Sequence, residues 1–400
     1  MLISTQYLKF VRYNFCNSNR AFLSKNYSTF NPNIRTPFTV LGIETSCDDT
    51  GVAIVNSDRQ IISEAIHLQQ QLHEPYGGIV PNLAMSSHQQ YLPLVIREAL
   101  DKANMDIAKD IDVIAVTRGP GLPACLGNGL SAGKALAAAL CKPLIGVHHM
   151  ASHALTARLT HPTPNLLPFP FLTLLISGGH TLILVARGVN HYIHLGTTVD
   201  DSVGEAYDKI ARLLKIPWLK GRGGGPGAAL EQFAEKGDSK KFSVPIPMTK
   251  DKRRKEAMDL SFSGLKTSVN ALITKHNLDI DDENIKRDLA STFQKAAIAH
   301  LTDKLELAFK WCKEKAIPLT ALVASGGVAS NKSIRFSLES LAVEQYNVPL
   351  ICPPPHLCTD NGVMIAWAGV ERFRIGLVDE YTIDHMPKWP ISSLGSSTSL

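Results

Sequence analysis

Two histidines four residues apart, His149 and His153, stand in Val147-His148-His149-Met150-Ala151-Ser152-His153, a stretch that reads as the start of a helix. On a helix, residues i and i+4 share one face, so the two imidazoles can converge on one ion. In a chain with 14 His such a pair also arises by chance, and it needs a third ligand to count as a metal site. Asp360, in Cys358-Thr359-Asp360-Asn361-Gly362, is the candidate. Two neutral imidazoles and one carboxylate would leave a divalent cation net positive, with positions open to substrate oxygens. Two further turns, Ser177-Gly178-Gly179-His180 and Ser325-Gly326-Gly327, follow apolar runs. There backbone N–H groups can approach a phosphate or a ribose edge. A lone Gly-Gly is usually only a tight turn. Two of them at matching strand ends, with Glu44, Asp48 and Asp49 at another turn, favour a nucleotide clamped in a cleft.

The elements that must position these residues alternate between strand and helix. Residues 39–43 and 52–55 read as a hairpin with carboxylates at its tip, and 171–176, 177–180 and 181–185 repeat that design. A strand, polar turn and strand at the head of each half suggests a duplicated fold. Helical spacing covers 89–104, 126–140, 200–215 and 288–315, whereas 112–117, 144–147 and 321–324 are apolar strands. That alternation implies an α/β class with helices on the faces of a sheet. Residues 250–255 read as a basic loop and 392–400 as a disordered tail.

A chain of 400 residues, 44% hydrophobic and 19% charged, is long enough for two lobes with cores of their own. The first 43 residues lack Asp and Glu and carry Lys9, Arg12, Arg20, Lys25 and Arg35 among Ser, Asn and aromatics, the pattern of a mitochondrial presequence. Cleavage is expected near Lys25-Asn26-Tyr27-Ser28. With those five cations set aside from 41, 36 basic residues face 36 acidic ones, so nucleic-acid contact must come from local patches. Lys250, Lys252, Arg253, Arg254 and Lys255 form the candidate patch. The seven Cys contain no C-x-x-C pair, which argues against a zinc knuckle or a disulfide framework and suits a reducing compartment. No stretch approaches the roughly 18 apolar residues of a membrane span.

Seven motifs then make a resemblance specific: Ile43-Glu44-Thr45-Ser46-Cys47-Asp48-Asp49-Thr50, Gly119-Pro120-Gly121-Leu122, His148-His149-Met150 with His153, Leu175-Ile176-Ser177-Gly178-Gly179-His180-Thr181, Ser261-Phe262-Ser263-Gly264-Leu265-Lys266-Thr267, Ser325-Gly326-Gly327-Val328-Ala329-Ser330-Asn331, and Cys358-Thr359-Asp360-Asn361-Gly362. In this order they resemble the tRNA N6-adenosine threonylcarbamoyltransferase family, in its mitochondrial branch. The resemblance implies the actin-like ATPase (ASKHA) fold, two ribonuclease-H-like lobes with a cleft between them. The implied division is 1–36 as presequence and lead-in, 37–150 plus 355–392 as lobe I, and 151–354 as lobe II. It implies transfer of a threonylcarbamoyl group from threonylcarbamoyl-AMP, made by a separate synthase, to N6 of adenosine 37 in tRNAs reading codons that begin with A. It implies a mitochondrial matrix enzyme, a homodimer, with one divalent metal per subunit, zinc or iron. Carried over by position, the metal ligands are His149, His153 and Asp360; the substrate-binding positions are Leu175, Ile176, Ser177, Gly178, Gly179, Asp208, Gly225 and Asn331. Asp208 suits the two hydroxyls of a ribose, and Asn331 suits a nucleotide held by its amide. Asp48, at the hairpin tip, is the candidate to position or deprotonate the attacking amine, or else a carboxylate that only caps the turn.

The chain departs from the family pattern at Pro81-Asn82-Leu83-Ala84-Met85-Ser86, which lacks a glutamate and an arginine common there, at Gly223-Gly224-Gly225-Pro226, and in a longer, more basic insert at 250–256. A metallopeptidase of the H-E-x-x-H kind would need a glutamate where Met150 stands. The acidic hairpin and glycine turns would also permit an ATP-dependent kinase or ATPase on the same fold, the alternative reading, with the histidine pair as the discriminator because sugar-kinase chemistry does not require it. A non-catalytic tRNA-binding protein would leave the ligand set without a purpose.

Overall fold

In the computed structural model, residues 36–163 and 165–395 are described, and the expected presequence up to residue 35 and the end of the expected tail, 396–400, lie outside the described residues. The apolar run that opens the described chain is β1 (Thr39–Glu44), buried at every position because it is the centre of a five-stranded sheet. It pairs antiparallel with β2 (Thr50–Asn56), which carries β3 (Ile61–His67) at the edge. On its other side run parallel strands β4 (Val113–Gly119) and β5 (Leu144–His148). Helices α1 (Pro81–Ala103) and α2 (Pro123–Ala139) cover one face, where Leu92, Val95 and Leu130 pack on Leu41, Ile43 and Ile54. Crossing from β5, α3 (His149–Thr160) is buried almost along its whole length, so it belongs between elements and not on the surface.

The second sheet repeats the first. Strand β6 (Phe171–Ile176) pairs antiparallel with β7 (Thr181–Gly188), and β7 with β8 (His191–Thr197). Its helices are α4 (Val203–Leu213), α5 (Pro226–Ala234), α6 (Ser263–Lys275) and α7 (Glu283–Glu314). After them, β9 (Leu322–Ser325) joins β6 in parallel, α8 (Lys332–Glu339) follows, and β10 (Leu350–Ile351) joins β9. The orders β3-β2-β1-β4-β5 and β10-β9-β6-β7-β8 are the same arrangement, with β6, β9 and β10 in the places of β1, β4 and β5. The duplication read from two hairpins therefore extends through both sheets.

The chain then returns to the first sheet as α9 (Gly362–Arg374), buried from Gly362 to Glu371. It crosses β1 and β2 at backbone contact: a Cβ on Gly42 would lie 2.3 Å from the Ala366 nitrogen, and one on Gly362 2.5 Å from that of Ala53. Any larger residue would push α9 off the sheet. Arg158 near the end of α3 donates from Nε and Nη2 to the two carboxylate oxygens of Glu371, at 3.2 Å each, which ties α3 to α9.

Several elements differ from expectation. Helix α1 starts at Pro81 and not near residue 89, so residues 81–86 are its first turns, with proline in the first turn where no N–H partner is lost. The basic segment is a short helical turn, Lys252–Glu256, whose end is held by buried Lys304, donating to the carbonyls of Arg254 (2.6 Å) and Ala257 (2.6 Å). The edge strands β3 and β8 were not foreseen, because their half-exposed faces mix His, Ser and Glu with apolar residues. The tail is structured up to 395, with buried Ile391 and Leu394 packed on the second sheet.

Candidate metal centre and nucleotide cleft

His149 and His153 open α3, one turn apart, with ring centroids 4.9 Å from each other. Asp360 reaches them from the turn before α9, which Asn361 caps by accepting from the Met364 N–H at 2.8 Å. Asp360 Oδ1 lies 3.2 Å from His153 Nε2 and 3.5 Å from His149 Nε2. The three ligand atoms all fall within 4.8 Å of one another. On the other edge of the His149 ring, Nδ1 is 3.1 Å from Glu44 Oε2 and 3.1 Å from Ser46 Oγ. Glu44 accepts in turn from Thr117 Oγ1 at 2.6 Å. A carboxylate on Nδ1 fixes the tautomer that leaves Nε2 as a lone-pair donor, the arrangement found behind metal-binding histidines. His153 Nδ1 is buried with no partner among the described residues. Two imidazole nitrogens and one carboxylate oxygen pointed at one spot are a donor set that fits a divalent cation.

Charge dominates this centre. Burial opposes a proton on His149, yet Asp360 and Glu44 beside it hold its pKa well above the usual imidazole value. Asp360, for all its burial, is pulled well below the usual carboxylate range by His149 and His153, and Glu44 is lowered by His149. The site thus selects positive charge, whether a proton or a metal ion. At the hairpin tip the sign reverses: burial and the Asp360 carboxylate raise Asp48, and burial and Asp48 raise Asp49.

Two cavities open beside the centre. One, of about 240 Å³, is walled by Gly178, Asp208, Glu231, Gly327 and Asn331; the other, of about 290 Å³, by Asp48, Asp49, His73, Arg222 and Gly225. Thr359, next to Asp360, and Asp208 line both. Burial pushes Asp208 up to about 6, and a Cβ on Gly227 would lie 3.1 Å from its Oδ1, so the start of α5 can run close past it. Gly225, at φ 110°, stands where only glycine is unstrained, as the N-cap of α5. The Ser177–His180 turn is held from below by Ser202, whose hydroxyl donates to the Gly178 carbonyl. A Cβ on Gly204 would come within 2.5 Å of the Ser177 carbonyl oxygen, so α4 packs directly under this turn.

The remaining expected positions are placed differently. Leu175 and Ile176 are fully buried, their side chains in different cores, so only their backbone can face a ligand. Asn331 lines the smaller cavity, but its Oδ1 caps α8 by accepting from the Ile334 N–H (3.0 Å) and its Nδ2 donates to Gln294 (2.9 Å). One amide hydrogen is left for a ligand. Sequence reasoning missed the roles of Glu44, Thr117 and the Arg158–Glu371 pair; the only signal was a glutamate and a threonine at the ends of otherwise apolar strands.

A family model for tRNA N6-adenosine threonylcarbamoyltransferase matches residues 60–367. The chain belongs to this family. It is 42% identical over 402 residues to the probable mitochondrial tRNA N6-adenosine threonylcarbamoyltransferase of Arabidopsis thaliana, covering 96% of this chain and 80% of that one. With the tRNA N6-adenosine threonylcarbamoyltransferase of Zymomonas mobilis it shares 44% identity over 352 residues, 88% of this chain and 91% of that one. Among solved structures it resembles T. kodakarensis HypF, with a TM-score of 0.54 at 16% identity, over 86% of this chain and 48% of that one. That likeness, with the duplicated sheets, makes the fold that of the actin-like ATPases. As a tRNA N6-adenosine threonylcarbamoyltransferase the chain is a transferase acting on tRNA, and His149, His153 and Asp360 are its candidate metal site. No helix among the described residues is long and apolar enough to cross a membrane.

Proposed function

We propose that this chain transfers the threonylcarbamoyl group of threonylcarbamoyl-AMP to N6 of adenosine 37 in mitochondrial tRNAs reading codons that begin with A, releasing AMP. The observation that carries this reading is the convergence of His149, His153 and Asp360 beside cavities that hold Asp208, Gly178 and Asn331. One divalent cation on those three side chains, zinc or iron, would supply a Lewis acid for carbonyl and phosphate oxygens.

The chain's own residues do the remaining work. The ionised Asp208 accepts from ribose hydroxyls, and the N–H groups of the Ser177-Gly178-Gly179 turn receive the phosphate, so AMP is held as its charge develops. Gly225 and Asn331 complete the walls. Asp48, on the adjoining cavity, positions or deprotonates the adenine amine. As the N6–carbon bond forms and the carbon–oxygen bond to phosphate breaks, the amine proton leaves to that carboxylate or to solvent, and the electron pair leaves with AMP. Lobes at 37–150 plus 355–392 and at 151–354, with the site between them, agree with the return of α9 to the first sheet. A presequence and a matrix location belong to the same reading, supported by the acid-free leader and by the mitochondrial relative; a homodimer and a separate synthase belong to it through the family resemblance alone.

The test is purified protein with threonylcarbamoyl-AMP and tRNA, read by mass of the digested nucleosides. N6-threonylcarbamoyladenosine is expected. Phosphorylated product from ATP alone, with no modified nucleoside from threonylcarbamoyl-AMP, would favour a kinase or ATPase instead. N-terminal sequencing of the organellar protein tests the leader, and a start at Met1 rules it out.

A further inference from the structure

Between α4 and α5 the chain makes a loop whose neck is closed by two backbone bonds, from the Gly225 N–H to the Leu219 carbonyl at 2.7 Å and from the Leu219 N–H to that of Gly225 at 3.4 Å. Its tip, Lys220-Gly221-Arg222-Gly223-Gly224, has no apolar side chain and is exposed except at the half-buried Arg222. Hydrophobic burial therefore does nothing to hold the tip, and its position rests on polar contacts. Gly221 and Gly223, at φ 93° and 74°, let the chain turn sharply on both sides of Arg222.

The polar contacts cross from the half of the molecule built on the second sheet to the half built on the first. Arg222 donates through Nη1 and Nη2 to the two carboxylate oxygens of Glu64 on β3, at 2.8 and 2.6 Å. Gln70, just beyond β3, donates to the Leu219 carbonyl at 2.7 Å and accepts from the Gly221 N–H at 3.1 Å. Arg222 Nη2 also donates to the carbonyl of His356 at 2.7 Å, four residues before Asp360. One guanidinium thus ties the loop both to the edge strand of the first sheet and to the turn that carries the third candidate metal ligand. The next residues along, Gly223 and Gly224, are wall to both cavities, the one with Asp208 and Asn331 and the one with Asp48 and Asp49.

We propose that Arg222 is a positioning residue whose bond to Glu64 clasps the glycine loop across the two cavities, and that this clasp parts for a nucleotide to enter and leave. The proposed reaction supplies the identity of that nucleotide; the clasp itself stands on the contacts between the two halves. A two-pronged, charge-assisted pair fixes the direction of the loop as well as its distance from β3. The pair is also partly open to water, with 26% of the Arg222 side chain and 18% of that of Glu64 exposed, so it is weak enough to break and re-form. With it broken, the tip has no packed side chain to pull out of a core and swings about its neck, the behaviour of a loop that closes over a site.

The test uses Arg222→Ala, Glu64→Ala and the double variant of the full chain, with AMP as the probe. Stopped-flow chase should show AMP leaving about fivefold faster from either single variant than from the wild type. The double variant should be no faster than Arg222→Ala, because the second substitution removes a partner already lost. In transfer assays kcat/KM should fall mainly through KM, while thermal melting, which a merely structural bond would move, stays put. Hydrogen exchange of the Gly221 N–H, read without any ligand, should quicken in both single variants. Unchanged exchange overturns the clasp, and faster exchange with unchanged AMP release overturns its gating of the cavities. Losses that add in the double variant also overturn the pairing. A wild type that neither binds AMP nor transfers a threonylcarbamoyl group refutes the proposed reaction instead, and exchange at Gly221 then decides the clasp by itself.

Discussion

Glu44 Oε2 lies 3.1 Å from His149 Nδ1, while Nε2 of the same ring is 3.5 Å from Asp360 Oδ1. A carboxylate behind the ring orients it and raises its basicity as a ligand. Glu44→Gln keeps an acceptor there and removes the charge, so divalent-metal affinity should fall by about tenfold, the lower end of what such partners contribute. Competition against a chelator at neutral pH measures it. Unchanged affinity would leave Glu44 as a turn residue only.

Removing a ligand should act on activity before it acts on the fold. The α3–α9 packing is also secured by Arg158 and Glu371, away from the three ligands. His149→Ala and Asp360→Ala are expected to abolish threonylcarbamoyl transfer and metal uptake while each protein still melts cooperatively. Wild-type modification by the double-Ala protein would end the metal-site reading.

Asp208 gives a pH dependence with a definite sign. Its folded pKa is raised from 3.8 to about 6 by burial, so in the folded protein it takes up a proton as pH falls through 6. The contribution of this group to folding stability rises as pH falls over that window, because the folded state binds the proton more tightly than the unfolded chain. Ribose binding runs the other way, since the protonated acid is the poorer acceptor. AMP affinity, titrated calorimetrically from pH 7.5 to 5, should weaken below about 6, and Asp208→Asn should be weak and flat throughout.

His300 on α7 works oppositely. It accepts from the Ser261 N–H through Nε2 at 3.1 Å, is buried, and is held to about 4 against the ordinary 6.5, chiefly by burial and then by Lys304. The folded state therefore resists the proton that the unfolded chain accepts. Stability present above pH 6.5 is lost as pH falls toward 4, on the order of 3 kcal/mol from this residue. Denaturant unfolding at several pH values should show a shallower acid loss in His300→Gln, and parallel curves would remove His300 from the account.

Arg253 and Arg254 are exposed on the short helix Lys252–Glu256, whose end Lys304 holds in place. A fixed basic edge suits tRNA phosphates. Replacing both with Ala should weaken tRNA binding for all sequences and reduce the slope of log affinity against log salt by roughly one unit for each phosphate the variant leaves unneutralised. Filter binding between low and moderate salt reads it, and an unchanged slope would make the edge an ordinary solvated surface.

What could be read from the sequence was local. The spacing of His149 and His153 places two imidazoles on one helical face whatever surrounds them, and the paired hairpins announce duplicated sheets, because period and turn chemistry act over a few residues. Strands buried on both faces, such as β1 and β6, were legible as unbroken apolar runs. Their half-exposed neighbours β3 and β8 were not, since an edge strand is decided by its partner. Only tertiary structure decided which residues complete the centre. Asp360 is brought to His153, 207 positions away, because Gly42 and Gly362 let α9 press onto β1 and β2 and because Arg158 grips Glu371. Nothing in the spacing of those residues records that meeting: it exists through close packing of backbones that the chain brings together only once both sheets are built.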